Sequence, residues 1–565
     1  MYKKWWDDTG YKYWSLDPVT KPVTDDQKQI IYNIVTSIKN GYENIILKLG
    51  VGFGKSAIAK TISNMYESSY ILTNNIALQK QYLKDWDDIA LLMGRGQYMC
   101  NERYETCNHC YLDYIHFTGN TDEKLKYLNK SKYWKGFPKY DSEEAWNNYL
   151  ERVIKPMRLF KCESCPYKIA KTEAKNSNCT VCNYHSLYFN SNIINTFGSR
   201  DVIIFDEGHH FEEILCQINN GAFNPKTIYE KYGIDILEHN NGDSINTKEY
   251  WGTIFNNIIF KIEDEKNKVM GSLHGKEDEA TLKKVAREFN QEIKEWEYKR
   301  DVVLKEEIAV TIPKENENVL LEPIYSKPFN NELLRLGKIR IFMSGTFPPK
   351  RTLCKWFGLD YNKTIFIEKY PDFPIENRPI IRDYVGKISG QNKNSWMNIN
   401  MEDKLLDICY THEFDNGVIH CTKNEQVDYI VDILENEGFV GYKCYDGAYS
   451  DKSKTGTIQE FIKYGGILVG SNIREGLDLK GNLCNFQILF KVPYLSYPEG
   501  GRVEKRMNDW NDKRFYNFHT VARIEQAYGR GVRRFTDKCP FYILDKNFEN
   551  LKLRYFSSYF REAIK

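Results

Sequence analysis

The chain has 565 residues, of which 41% are apolar and 28% charged, and its formal net charge is only +2. This length is too great for one compact core and indicates roughly three or four folded domains. The weak net charge excludes a globally basic nucleic-acid-binding surface. No run of about 18 apolar residues could span a membrane, and Met1–Asp8 lacks the apolar core of a secretory signal. We therefore expect a cytoplasmic protein, in the host cytoplasm if the chain is viral.

Two regions of the chain alternate short apolar strands with helical segments, the pattern of a parallel sheet. The first contains the predicted strands 45–49, 70–72, 202–205 and 339–343, and the second contains 418–420, 467–469, 486–490 and 541–544. A cysteine-rich stretch at 96–190 and a polar stretch at 215–335 interrupt the first region. In the polar stretch, apolar residues recur at spacings of three and four, which predicts a core-facing or helix-hairpin seam; they are Leu282, Val285, Phe289, Ile293 and Trp296.

A glycine-rich turn, Leu49-Gly-Val-Gly-Phe-Gly-Lys-Ser56, joins the first predicted strand to a helical run. The backbone can turn tightly at Gly50, Gly52 and Gly54, and it can then direct its N–H groups at phosphate oxygens. Lys55 would reach the β- and γ-phosphates of ATP, and the Ser56 hydroxyl would ligate Mg²⁺. Leu49 stands where the strict pattern has glycine, and a purely structural loop is the alternative. The preceding strand and following helix favour the nucleotide site.

A pair of carboxylates, Asp206 and Glu207, ends the predicted strand 202–205. A Mg²⁺ ligand must lie at the end of a buried strand beside the phosphate loop, which suits Asp206. Glu207 can then polarise the attacking water as general base. An ordinary acidic corner between strand and loop is the alternative, but the two motifs occur in order and each at a strand end.

The far half of the chain contains Gln526-Ala-Tyr-Gly-Arg-Gly-Val-Arg533, which we predict to place Arg530 and Arg533 on one face of a helix turn. Planar guanidinium groups suit the charge that develops on a transferring phosphoryl group, so both are candidate arginine fingers. Gln526 would sense the nucleotide or its water. A basic helix end on the surface is the alternative. Upstream, Glu475, Gly476 and Asp478 follow a predicted strand and could couple two sites.

These motifs, with Met343-Ser-Gly-Thr346, occur in the order of motifs I, II, III, V and VI of superfamily 2 helicases, which the chain resembles. Two segments are similar to the XPD/DinG family within that superfamily. Gly94-Arg-Gly-Gln-Tyr-Met-Cys100 resembles the lead into the family's iron–sulfur domain, and Cys165-Pro-Tyr-Lys-Ile-Ala170 resembles the segment that closes it. Val492–Pro498 is similar to the proline-rich segment before motif VI.

The resemblance also assigns roles to single residues. Gln27 matches the glutamine that reads adenine, and Thr73 with Leu78-Gln79 matches the motif that grips the DNA strand. Leu49, and Gly208 in place of the usual alanine, depart from the pattern. The second insertion is also shorter than the family's arch.

Seven of the fourteen cysteines fall between residues 100 and 182, which in a reducing compartment indicates metal or iron–sulfur ligation. The resemblance implies a [4Fe–4S] cluster held by Cys100, Cys107, Cys110 and Cys165, with Cys162 as a competing ligand. The spacing of Cys162, Cys165, Cys179 and Cys182 leaves a zinc site as the alternative. By the resemblance, Cys179 and Cys182 would instead fill a buried strand.

The implied fold is α/β, with two RecA-like P-loop motor domains and an iron–sulfur domain and a small helical arch-like segment inserted into the first motor. The implied segments are 1–95, 191–214 and 336–370 for the first motor, 96–190 for the iron–sulfur domain, 215–335 for the arch-like insertion and 371–565 for the second motor. The implied protein is a monomeric helicase that uses ATP, Mg²⁺ and the cluster to move 5′→3′ on single-stranded DNA and open duplex junctions. A translocase that remodels complexes without unwinding, and a non-catalytic nucleic-acid-binding scaffold, are the alternatives.

Overall fold

The structure is a computed structural model of the chain. It describes residues 2–17, 19, 21–50, 52–74, 76–99, 165–192, 196–237, 247–273, 279–305, 307–312, 318–390, 392–445, 451–471, 473, 479, 481–495, 501–508 and 511–565. The expected cluster ligands Cys100, Cys107 and Cys110, and the coupling residue Asp478, lie outside these residues.

The strands of the described chain form three sheets. They are β1 Asn44–Leu49, β2 Ser69–Leu72, β3 Ala90–Leu92, β4 Cys179–Cys182, β5 Arg200–Asp206, β6 Gly221–Phe223, β7 Ile308–Thr311, β8 Val319–Pro323, β9 Gly337–Ser344, β10 Thr364–Lys369, β11 Ile380–Gly386, β12 Gly417–His420, β13 Gly441–Cys444, β14 Ile467–Gly470, β15 Phe486–Leu489 and β16 Phe541–Asp545.

Helices cover the sheets. They are α1 Tyr2–Asp8, α2 Asp25–Lys39, α3 Lys55–Ser63, α4 Ile76–Asp85, α5 Pro166–Asn176, α6 Tyr184–Asn192, α7 Phe211–Ile218, α8 Pro225–Tyr232, α9 Lys248–Leu273, α10 Glu279–Lys305, α11 Lys327–Leu334, α12 Lys350–Phe357, α13 Ile399–Thr411, α14 Asn424–Asn436, α15 Asp451–Tyr464, α16 Arg502–Asn508, α17 Lys513–Tyr528 and α18 Ser558–Arg561. None of these described helices has the length and apolarity needed to cross a membrane.

The first sheet has seven strands in the order β10-β1-β9-β5-β2-β4-β3, and every neighbouring pair is parallel. Its central strands are almost continuously apolar because helices bury both of their faces. All six residues of β1 are buried, and separate cores lie on the two sides of the sheet. The carboxyl ends of β1, β5 and β9 meet at one edge, which brings the phosphate loop, Asp206 and Ser344 together.

The second sheet has six parallel strands in the order β11-β16-β15-β12-β14-β13. The chain passes from the first sheet to the second between β10 and β11. Seven of the eight predicted strands lie within strands of these two sheets, and the eighth, 486–490, extends one residue beyond β15. This agreement confirms the predicted α/β fold with two parallel-sheet domains.

Both insertions return to the first motor earlier than the boundaries at 190 and 335 imply. Strand β4 lies within 96–190, yet it pairs with β2 and β3 in the first sheet. Helix α11 lies within 215–335, yet Leu333 and Leu334 belong to the core of that sheet. Both boundaries are therefore placed too late, because short buried elements outside the predicted strand pattern belong to the motor.

The second insertion combines two long helices with a small antiparallel sheet, β6-β8-β7. Ile293 and Trp296 on α10 pack with Trp251 and Phe255 on α9, with Phe289 half-buried beside them. This part of the predicted stripe is a helix-hairpin seam, as expected. The sheet was not predicted, because its strands are only three to five residues long.

Candidate functional site

The phosphate loop between β1 and α3 depends on two glycines with left-handed backbone. Gly52 has φ 85° and Gly54 has φ 75°, conformations that other residues rarely adopt. Gly54 is the N-cap of α3, which begins at Lys55. The free N–H groups of the helix N-terminus therefore point towards the space that the loop surrounds. Gly50 lies against Pro371, whose Cδ would be 2.6 Å from a side-chain Cβ at that position. The loop therefore has the backbone geometry of an anion site.

Gln27 contacts this loop directly. Thr24 and Gln27 form a capping box at the start of α2, in which the Gln27 N–H donates to Thr24 Oγ1 and the Thr24 N–H donates to Gln27 Oε1. The remaining amide nitrogen, Nε2, donates to the Phe53 carbonyl at 3.0 Å. A Cβ at Gly54 would be only 2.6 Å from that nitrogen. The capping box thus fixes Gln27 against the part of the loop that precedes Lys55.

Asp206 lies at the end of β5 and is 1% exposed. The Tyr82 hydroxyl donates to Asp206 Oδ2 at 2.9 Å, and the Glu207 N–H donates to Oδ1 at 3.1 Å. Burial and the Glu207 carboxylate raise the pKa of Asp206 to about 6, while Lys55 acts to lower it. The Ser56 side chain lies near enough to the Tyr82 hydroxyl to act against the rise of its pKa, so Ser56 and Asp206 both lie beside one phenol oxygen.

Glu207 has an unusual backbone. Its φ of 51° is left-handed, which among the described non-glycine residues is shared only with Asn511. Such a conformation costs free energy and persists where the surroundings enforce it, often at functional sites. The Ser344 hydroxyl lies 3.4 Å from Glu207 Oε2, and so does His209 Nδ1. The strained turn thereby aims the carboxylate at the end of β9.

His209 links the two motors. Its Nδ1 is 2.8 Å from Ser344 Oγ, and its Nε2 is 2.8 Å from Gln526 Nε2 on α17. If the Ser344 hydroxyl donates to Glu207, a neutral His209 protonated on Nδ1 satisfies every contact, because Nδ1–H then donates to Ser344 and Nε2 accepts from Gln526. A hydrogen-bonded path therefore runs from Glu207 at the first sheet to α17 of the second motor.

Arg530 and Arg533 lie after the end of α17, not on a helix turn as predicted. The helix ends at Tyr528, and the Asp537 carboxylate accepts from the N–H groups of Arg533 and Arg534, both at 2.9 Å. Arg530 is 5% exposed. A Cβ at Gly52 would be 3.3 Å from the Arg533 carbonyl oxygen. The turn that carries both arginines thus contacts the phosphate loop.

Comparison with known proteins agrees with this geometry. A family model described as a helicase C-terminal domain matches residues 405–563, and one described as the res subunit of type III restriction enzymes matches residues 20–230. The ATP-dependent DNA helicase XPD of Sulfolobus acidocaldarius is 25% identical over 224 residues, and the chain spans 39% of that relative's length and 37% of its own. The ATP-dependent DNA helicase YoaA of Haemophilus influenzae is 20% identical over 92% of this chain and 90% of that protein.

Two solved structures share the fold across almost the whole chain. An XPD helicase has a TM-score of 0.55 at 14% identity, covering 96% of this chain and 98% of that one. Xpd4 of S. tokodaii has a TM-score of 0.51 at 13% identity, covering 95% and 99%. The chain is thus similar in sequence and in fold to XPD/DinG-like superfamily 2 helicases.

Of the seven cysteines between residues 100 and 182, the structure describes Cys165, Cys179 and Cys182. Cys179 and Cys182 both lie in β4, where Cys179 packs in the core on one side of the sheet and Cys182 in the core on the other. Burial raises the pKa of Cys182 to about 12, so its thiol is protonated at neutral pH. Two thiols on opposite faces cannot bind one zinc ion. Cys165 is half-buried and caps α5, and no metal-binding group of three or more His, Cys, Asp or Glu occurs in the described ranges.

Three contributors to the candidate site were not singled out from the sequence. Tyr82 lies three residues after buried Gln79 and four before Trp86, a buried stripe on an otherwise charged helix that could have revealed it. His209 is part of the Asp-Glu-Gly-His motif, but nothing in the motif indicates its contact with Gln526, 317 residues away. Ser344 was noticed as part of a motif without a role.

Proposed function

We propose that this chain is an ATP-dependent DNA helicase whose two motors hydrolyse ATP between them. The observation that carries the proposal is the hydrogen-bonded path from Glu207 through His209 to Gln526. It joins the water-activating carboxylate of one motor to the helix that precedes the arginines of the other. A site that only bound nucleotide would not need this path.

Each residue then has one role. The N–H groups of the loop and the Lys55 ammonium neutralise the β- and γ-phosphates. Glu207 accepts a proton from the attacking water. The strained backbone of Glu207 and its contact with Ser344 hold the carboxylate in position for this step. Arg530 and Arg533 stabilise the charge that develops on the γ-phosphoryl group, and Gln27 binds the adenine. Asp478 takes part in nucleotide binding from the second motor.

Ser56 and Asp206 fit a Mg²⁺ ion. Both lie beside the Tyr82 hydroxyl, so their oxygens lie close together, and Mg²⁺ prefers oxygen ligands such as these. Burial and the neighbouring Glu207 carboxylate raise the pKa of Asp206, and Lys55 is the counter-charge. A bound cation would help to balance the charges of Asp206 and Glu207. When bound, the ion polarises the phosphate oxygens.

The DNA substrate is proposed from relatives that are named DNA helicases. Closing and opening of the nucleotide cleft would move the two sheets relative to each other and ratchet a single strand across them. By family resemblance, we propose movement 5′→3′, with the region of Thr73 and Leu78-Gln79 beside the strand, and unwinding at duplex junctions by a monomer in the cytoplasm.

We further propose a [4Fe–4S] cluster held by Cys100, Cys107, Cys110 and Cys165. The chain leaves the described motor after Tyr98 and returns before Tyr167, and these two rings touch edge to face at 5.6 Å. In sequence, Cys100 follows Tyr98 by two residues and Cys165 precedes Tyr167 by two, so the described chain on either side of the inserted segment starts from neighbouring positions. Thiolate ligation there would tie the segment's two ends together.

The experiment is ATP hydrolysis with and without single-stranded DNA, followed by strand displacement on a duplex with a 5′ overhang. We expect DNA to stimulate hydrolysis and the duplex to open. Stimulated hydrolysis without displacement would indicate a translocase. Absence of hydrolysis would favour the non-catalytic scaffold and refute the proposal.

A further inference from the structure

A buried ion bridge joins the two motors away from the nucleotide loop. It consists of Glu212 on α7, Arg506 on α16 and Asp512, the residue before α17. Arg506 Nη1 donates to Glu212 Oε1 at 2.7 Å, and Arg506 Nη2 donates to Asp512 Oδ2 at 2.8 Å. The Arg506 side chain is 0% exposed and that of Glu212 is 4% exposed. One guanidinium thus holds a carboxylate from each motor.

The geometry of this bridge is tightly constrained. The Arg506 guanidinium lies 3.7 Å from the Phe515 ring centroid and 4.5 Å from that of Tyr325. Arg502 approaches the same Glu212 oxygen at 3.5 Å. A planar fork that is both stacked and bonded at two nitrogens has one orientation, which an ammonium group could not reproduce. Desolvation offsets much of the attraction in a buried ion pair, so such a bridge contributes more to geometry than to stability.

The bridge and the path through His209 hold opposite ends of one helix. Asp512 precedes the first turn of α17, and Gln526 lies in its last turn, about 20 Å away at a rise of 1.5 Å per residue. On the first motor, Glu212 and His209 are three residues apart. Two contacts of this kind fix both the position and the rotation of α17 against the first motor, whereas one contact would leave a pivot.

The same helix α16 also holds the second insertion. Arg502 Nε donates to the Ile324 carbonyl at 3.0 Å, and Lys505 Nζ donates to the Ile308 carbonyl at 3.1 Å. These carbonyls belong to the ends of the small antiparallel sheet. A displacement of that sheet would therefore reach the bridge through α16.

We infer that Arg506 and Glu212 are positioning residues for ATP hydrolysis, which orient α17 so that Gln526 meets His209 and the following turn presents Arg530 and Arg533 to the phosphate loop. This inference rests on the proposed function. Neither residue contacts the nucleotide loop, so their loss should impair turnover and leave ATP binding intact.

The test is Arg506→Lys, which keeps the charge but loses the fork. We expect the DNA-stimulated kcat to fall on the order of 10-fold to 100-fold, as for small displacements of reacting groups. The KM for ATP should stay within about twofold, because misorientation of groups used in the transition state lowers kcat alone. The matched control is Lys338→Met, which breaks an exposed ion pair with Asp201 and should change neither parameter.

A second variant keeps the inference falsifiable if the first does not fold. Glu212→Leu with Arg506→Met removes the oppositely charged pair at the centre of the bridge together, a replacement that proteins often tolerate. It should bind ATP and show the same loss in kcat. A folded variant that keeps the wild-type kcat, or that loses ATP binding in proportion, would overturn the inference, as would failure of both variants to fold. A wild-type chain without DNA-stimulated hydrolysis would instead refute the proposed function.

Discussion

Replacing Gln526 with leucine tests the path between the motors most directly. The substitution keeps the side chain's approximate size and removes the 2.8 Å contact with His209 Nε2. The His209 side chain is only 4% exposed, so water cannot easily replace the lost donor. Losing one partner of a buried hydrogen bond costs about 1 to 3 kcal/mol.

If the Gln526–His209 contact is made in the state that hydrolyses ATP, the whole free-energy cost of losing it raises the barrier to hydrolysis. A tenfold change corresponds to about 1.4 kcal/mol, so the DNA-stimulated kcat of Gln526→Leu should fall roughly 5-fold to 150-fold. The affinity for ATP should not change, because the loop, Lys55 and Gln27 all lie in the first motor. Single-turnover hydrolysis and equilibrium nucleotide binding measure the two quantities separately.

A double-mutant cycle with His209→Leu shows whether the loss arises from the contact itself. If it does, the double variant should be no worse than the more damaging single variant. Gln81→Leu is the matched control, because Gln81 is exposed on α4 and outside the path. Additive losses in the double variant, or a loss confined to ATP affinity, would refute the proposed coupling.

Three further predictions concern the proposed roles. Lys55→Ala and Glu207→Gln should each abolish ATP hydrolysis in a folded protein, measured by phosphate release beside circular dichroism; near-normal turnover of either would contradict the site. Arg530→Ala should slow hydrolysis by about 10³ to 10⁵, with little change in the nucleotide dissociation constant; a loss lying wholly in affinity would exclude a finger role. Cys100→Ser should abolish the visible absorption and strand separation but leave some ATPase activity, whereas Cys179→Ser should have a much smaller effect on all three. Stoichiometric zinc without iron, together with collapse of the Cys179→Ser variant, would refute the iron–sulfur cluster.

The two motor sheets could be predicted because their central strands are buried on both faces and are therefore continuously apolar. Strand β4 was harder to recognise, since its Cys-Thr-Val-Cys sequence has the spacing of a metal-binding pair. In the structure, cysteine acts there as a small apolar residue, and its two thiols point to opposite cores. The boundary at 190 was wrong for this reason.

The glycine-rich turn between β1 and α3 could be predicted because its whole pattern lies in eight consecutive residues. The contacts of Tyr82 with Asp206 and of Arg506 with Glu212 span 124 and 294 residues, so no local pattern contains them. The position of Arg530 was wrong because the helical spacing continues past Tyr528 in sequence. In the chain, a Cβ at Gly531 would lie 2.3 Å from Cys539 Sγ, and this close packing accompanies the turn.

Departures from the family pattern can be judged against these contacts. Leu49 is buried at the end of β1, where its side chain packs in the core on one side of the sheet. A Cβ at Gly208 would lie 3.4 Å from the Cβ atoms of Phe205 and Phe342, which is an ordinary contact distance, so glycine in place of the usual alanine removes only a methyl group. Neither change removes a donor or acceptor from the path between Glu207 and Gln526. Both departures are therefore compatible with an active ATPase, and they do not favour the non-catalytic alternative.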